Sequence, residues 1–263
     1  MNVILDFFQK VGAKTLWLLT TIGQVTFFFF YTLRHSLSSF TRPRLTIRQI
    51  YFSGVLSIII IAVSGLFVGL VLGLQVYNIL IMFKAENALS FAVAAAILRE
   101  LGPVVSALLF ASSAGGAMTS EIGMMKTTEQ LDAMSVMGVN PVARVVAPRF
   151  WAGIISMPLL TAIFNVMGIL GTYLIGVVGL GLDDGIFWSQ MQSGIDWSYD
   201  VMNSFYKALA FGIAVSFIAV YQGTHCKATP EGVLRATTKT VVVSALSILA
   251  LDFILTAFMF TVH

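Results

Sequence analysis

Long apolar stretches broken by short polar segments set the pattern of this chain. Between Ile50 and Leu80 the run GVLSIIIIAVSGLFVGLVLGL carries no charge over more than 20 residues, the length a helix needs to cross a bilayer. Comparable stretches predict five transmembrane helices, over residues 50–83, 88–111, 150–180, 201–221 and 241–262. The run LWLLTTIGQVTFFFFYTL between Lys14 and Arg34 is apolar enough to compete as a sixth. It reads instead as part of an interfacial N-terminal segment, residues 1–48. Asp6, Lys10 and Lys14 recur on one helical face, Thr20, Thr21, Gly23, Gln24 and Thr26 interrupt the apolar run, and basic residues flank both ends. Phe27 to Phe30 then suit a membrane anchor better than a substrate site.

The segment between the second and third spans is too polar to cross. Over residues 118–138 it predicts a helix with Glu121, Lys126, Glu129 and Asp132 exposed, and with Ile122, Met125, Leu131 and Met134 against the bundle. Gly138, Asn140 and Pro141 stop it. Periodicity leaves two roles open, an amphipathic helix resting on the membrane or a docking helix for a partner.

Composition narrows the class. The 263 residues are 58% hydrophobic and 10% charged, against roughly 25% charged in soluble domains, and mean hydropathy is +0.92. The expectation is one all-α integral membrane domain spanning residues 1–263. One cysteine, Cys226, and three separated histidines, His35, His225 and His263, suggest neither a disulfide framework nor a metal site. A net charge of +3 is too small for a nucleic-acid surface, and no cleavable signal peptide is evident. Alternating the five spans gathers twelve of the fifteen Lys and Arg residues on one side and leaves only Lys84 on the other. The positive-inside rule therefore places the N-terminus in the cytoplasm and the C-terminus outside. The external loop, residues 181–200, contains Asp183, Asp184 and Asp196 without a basic residue, and Trp188, Trp197 and Tyr199 suit an interfacial belt.

Four ionisable residues fall inside predicted spans: Arg99, Glu100, Lys207 and Asp252. Each costs about 2.5–3.5 kcal/mol at a helix centre, so compensation is required. They sum to zero, and the expected pairs are Glu100 with Lys207 and Arg99 with Asp252. Such pairs either lock the bundle or organise a lipid pathway, by gating it or holding a headgroup. Pro103 leaves the Arg99 carbonyl without its helical donor. Leu72, Tyr77, Ile79, Leu80 and Phe83, at the outer end of the first span, are candidates for an acyl-chain pocket. Gly65, Gly69 and Gly73, matched by Gly168, Thr172 and Gly176, are spaced for close helix contact, within one chain or across a dimer seam.

The run ELGPVVSALLFASSAGGAMTSEIGMMKTTEQLDAMSVMGVNPVARVVAPRFWAG resembles the signature of the MlaE family, permeases of MCE-type phospholipid ABC transporters. The recurring elements stand here as Glu100 to Pro103, Glu121 with Gly123 and Met124, Thr128 to Gln130 with Ala133 and Met134, and Pro148 with Arg149. The resemblance extends over nearly the whole chain. One departure is Ser113, where the family usually has an Arg.

The resemblance implies a homodimeric, non-catalytic permease in a Gram-negative inner membrane, moving phospholipid between that membrane and a periplasmic carrier and so maintaining outer-membrane lipid asymmetry. Its coupling helix would dock a separate ATPase through Glu121, Gly123, Met124, Thr128, Glu129, Gln130 and Asp132. An MCE-domain periplasmic protein and a small STAS-domain protein are further implied partners. ATP and magnesium would belong to the ATPase, since this chain has no phosphate loop: Gly12-Ala13-Lys14-Thr15 lacks the glycine before lysine. The rival readings are a proton-coupled carrier using the intramembrane charges and a membrane anchor that moves nothing.

Overall fold

A computed structural model describes residues 19–35 and 43–260, together with Leu16. The charged face at Asp6, Lys10 and Lys14 lies outside the described residues. Helix α1 covers residues 19–35. Among the described residues, five helices are long and apolar enough to cross a membrane: α2 (Pro43–Met82), α3 (Glu86–Thr127), α5 (Val142–Gly179), α7 (Ser198–His225) and α8 (Pro230–Met259). Two shorter helices connect them, α4 (Gln130–Val136) and α6 (Asp184–Gly194). No strand occurs among the described residues, as an all-α membrane protein requires.

The spanning helices are longer than the apolar runs. At 1.5 Å per residue, the 42 residues of α3 reach about 60 Å, twice the roughly 30 Å of hydrocarbon. The second and third spans therefore project beyond the membrane at the end where basic residues gather, here called the basic end; the opposite end is the acidic end. The predicted helix over 118–138 is in fact two elements. Its first half is the last three turns of α3; its second half is α4. They are separated at Thr128 and Glu129, where Glu129 takes φ 57°, a left-handed conformation that strains a residue with a Cβ. Gly138, at φ 75°, ends α4, and the Val139 N–H donates to the Met134 carbonyl in the usual helix-stop arrangement.

The glycine series is an intrachain seam. Gly65, Gly69 and Gly73 face α5, where a Cβ at Gly69 would overlap the Gly168 carbonyl oxygen and one at Gly171 would overlap that of Leu66. Backbones this close also admit a hydrogen bond from Thr172 Oγ1 to the Gly69 carbonyl, 3.2 Å. Around this seam Ile61, Phe110, Met157, Phe164, Phe211 and Ile248 form the main core. Thr119 ties three helices, donating to the Ala219 carbonyl at 3.0 Å and meeting Thr240 Oγ1 at 2.8 Å.

Helix α1 packs at the basic end. Phe28 meets Phe217, Tyr221 and His225, Phe29 meets Phe150 and Phe217, and Asn140 donates to the Tyr31 hydroxyl at 3.0 Å. Phe27 and Phe30 face outward, as a membrane anchor would. At the acidic end, the predicted loop over 181–200 folds into α6, whose first turn is capped by Asp183 Oδ1 accepting from the Ile186 N–H at 2.9 Å. Trp188 of α6 packs on Tyr173, and Tyr199 donates to the Met259 carbonyl.

Candidate functional site: charges within the membrane

The centre of the charged network is Lys207 on α7, whose side chain is 2% exposed. Its ammonium group meets Glu100 Oε2 at 3.0 Å, Asp252 Oδ1 at 3.1 Å, Thr256 Oγ1 at 2.6 Å and the Arg99 carbonyl at 2.9 Å. Three N–H donors thus serve four acceptors, so one is shared. The contact with the Arg99 carbonyl follows from the chain: Pro103 has no N–H to offer that oxygen, and Lys207 takes the vacant place. Thr256 completes the ring by donating to Glu100 Oε1 at 3.2 Å.

The pairing expected for Arg99 is corrected. Glu100 does pair with Lys207, but Asp252 joins that same lysine, and Arg99 Nε donates instead to Asp200 Oδ1 at 2.7 Å. Arg99 and Glu100 are consecutive and so about 100° apart around α3; Glu100 faces α8, while Arg99 reaches the first turn of α7. Both members of the Arg99–Asp200 pair sit in π-helical turns, Ile97–Leu101 and Trp197–Val201, local widenings frequent at functional sites. Asp200 is fully buried and also accepts from the Asp196 N–H at 3.1 Å. Sequence reasoning placed Asp200 in the external loop and overlooked Thr256. Each had a signal: Asp200 lies seven residues before Lys207, two turns along one face, and Thr256 lies four residues after Asp252. With Asp200 included, the network holds two cations and three carboxylates, a formal charge of −1 rather than zero.

One side of the network is open. The side chains of Arg99 and Glu100 are 37% and 38% exposed. A separate apolar cavity of about 570 Å³ lies at the acidic end between α3, α5, α6 and α7, with Leu98, Asn165, Trp188, Gln192 and Phe205 among its walls. This volume falls within the usual 300–1,000 Å³ of ligand pockets. The residues expected to line an acyl-chain pocket do not line it. Leu72, Tyr77 and Leu80 pack on Leu89, Val93 and Ile97 of α3, and Ile79 and Phe83 face outward.

The seven residues expected to dock a partner separate into two groups. Gly123 is buried, and a Cβ there would meet Val233 at 3.0 Å; it serves packing against α8. Glu121 is held by Arg149, whose Nη2 donates to Glu121 Oε2 at 3.0 Å. Met124, Thr128, Glu129, Gln130 and Asp132 are exposed around the α3–α4 break. Val136, 89% exposed, and Met137 extend this surface with apolar area that the sequence reading missed. Ser113, in place of the family's usual Arg, meets Ser57 Oγ at 3.2 Å and donates to the Leu109 carbonyl at 2.8 Å.

Comparison with known proteins places this architecture. The family model described as "Permease MlaE" matches residues 46–258. The chain is 49% identical over 258 residues to the "Intermembrane phospholipid transport system permease protein MlaE" of Haemophilus influenzae, covering 98% of this chain and 99% of that protein. It is 34% identical to a "Probable ABC transporter permease protein" of Rickettsia typhi, over 99% of this chain and all of that one. A protein of the same description from Synechocystis is 31% identical over 86% of each chain. A family match across the whole of three spanning helices and nearly all of the other two, joined to relatives aligned almost end to end, makes this chain a member of the MlaE permease family.

Proposed function

We propose that this protein is the membrane-spanning subunit of an ATP-driven phospholipid transporter in a Gram-negative inner membrane, acting as a homodimer that maintains outer-membrane lipid asymmetry. The observation that carries the reading is the open side of the charged network. Arg99 and Glu100 each keep over a third of their side chains uncovered, and a charge facing hydrocarbon costs about 2.5–3.5 kcal/mol at a helix centre. In a bilayer that side must meet water, headgroups or another protein surface. A lipid path between two copies supplies all three.

The exposed surface at the α3–α4 break supports the division of labour. Glu129 and Asp132 beside Met124, Val136 and Met137 make a mixed acidic and apolar patch suited to a separate ATPase, which would hold the ATP and magnesium. The basic end is then cytoplasmic, the acidic end and C-terminus periplasmic. An MCE-domain protein would continue the lipid path at the acidic end, and a STAS-domain protein would sit on the ATPase. The printed name of the Haemophilus influenzae relative concerns phospholipid transport, which favours this substrate class.

The test is to extract the tagged chain gently from its native membrane and assay for co-purifying ATPase activity and bound phospholipid. Both should be present, with the ATPase lost from Glu129→Lys. Folded protein carrying neither would favour the proton-coupled carrier and overturn the proposal.

A further inference from the structure

The basic end holds a second recess, of about 380 Å³, where the starts of α2 and α5 meet the end of α3. Arg48, Arg144 and Arg149 share it with one carboxylate, Glu121, and with Phe52 and Met125. Three cations against one anion leave a formal charge of +2. The carboxylate is already committed. Arg149 is buried, with Nε and Nη2 both donating to Glu121 Oε2, at 3.3 and 3.0 Å, and Nη1 donating to the Val145 carbonyl at 3.2 Å. Arg48 and Arg144 are exposed at the rim and have no carboxylate partner among the described residues; Arg48 lies over the Phe52 ring at 5.8 Å.

Position decides which anion suits this recess. Helix α2 begins with the polar stretch Pro43–Ile50 and within two further turns presents Tyr51, Phe52, Val55 and Leu56, all exposed. That change marks the boundary between headgroups and hydrocarbon. A ligand here meets two unpaired guanidinium groups on its polar side and Phe52 and Met125 on its apolar side. Guanidinium matches phosphate oxygens in a two-point geometry, and basic pockets between membrane helices at the basic face take anionic headgroups.

We propose that Arg48 and Arg144, on a floor fixed by the Arg149–Glu121 pair, bind the phosphate of an anionic phospholipid of the surrounding leaflet. The site is separate from the charged network and holds whether or not that lipid is transported. Because the recess also touches Met134 of α4, its occupant braces α2 and α5 against the α3–α4 break.

Native mass spectrometry of the full chain in mild detergent, with added phosphatidylglycerol or phosphatidylethanolamine, tests this. The wild type should retain one more phosphatidylglycerol per chain than the Arg48→Gln, Arg144→Gln double variant, with at least a five-fold affinity difference. Phosphatidylethanolamine retention should be equal in the two, and lipid held elsewhere is common to both. If the double variant does not fold, a wild-type preference for phosphatidylglycerol over phosphatidylethanolamine that weakens with salt supports the site, and its absence overturns it. Equal phosphatidylglycerol retention by both chains overturns it too. Inorganic phosphate protecting the chain from heat as well as the lipid does would show a site for free phosphate. Protection arising only with an added ATPase partner would show a protein contact. Either outcome rejects a lipid site.

Discussion

At the scale of single residues, Lys207 is the keystone of the membrane-buried network. Removing one partner of a buried ion pair costs about 3–5 kcal/mol, because the other charge is left uncompensated. Lys207→Met takes the network from a formal −1 to −2 and strands Glu100 and Asp252, so thermal unfolding in detergent should show a loss of that size. Asp252→Asn moves the network to neutrality and leaves Lys207 bonded to Glu100, Thr256 and the Arg99 carbonyl. Its cost should be about 1 kcal/mol, that of one ordinary hydrogen bond, and a larger loss than Lys207→Met would contradict the arrangement. Glu129 stands apart, since its left-handed backbone stores about 1–3 kcal/mol. Glu129→Gly should therefore preserve or raise stability while removing the acidic contact. The same unfolding measurement separates strain from function.

Among elements, the decisive contact is the glycine seam between α2 and α5. Gly69→Ala places a methyl group against the Gly168 carbonyl and must push two backbones apart; the expected outcome is loss of folded protein, seen by size-exclusion in detergent. Gly23→Ala on α1 meets nothing within 4 Å and should gain up to about 1 kcal/mol from helix propensity. The apolar runs made the five spans legible in the sequence, and Gly138 with Pro141 made the end of α4 legible. Other features depend on tertiary contacts. The long reach of α3 beyond its apolar run is held by packing against α7 and α8, where Gly123 lies against Val233 and Lys126 donates to the Thr224 carbonyl at 2.7 Å. Helix α6 was hidden in a segment read as a loop, although Asp183 before Asp184–Gly194 is a capping signal. Of the candidate site, the four charges were visible because a charge in an apolar run stands out; Asp200 and Thr256 were not, because one sits at a span's edge and the other is an ordinary threonine.

For the whole molecule, the separation of charge between the two ends predicts sidedness. A cysteine at Asp184 should react with a membrane-impermeant maleimide when only the outer membrane is opened, and one at Met137 only after the inner membrane is broken, Cys226 being buried. The reverse pattern would invert the assignment of cytoplasmic and periplasmic faces. The central claim is that this bundle moves phospholipid under the drive of a separate ATPase docked at the α3–α4 break. The most direct measurement is transfer of a labelled phospholipid out of vesicles containing the complex of this chain with its ATPase, with and without ATP. Transfer that requires ATP, and is lost in Glu129→Lys although the bundle stays folded, is the predicted result. Transfer by the chain alone that follows a proton gradient and ignores ATP would contradict it.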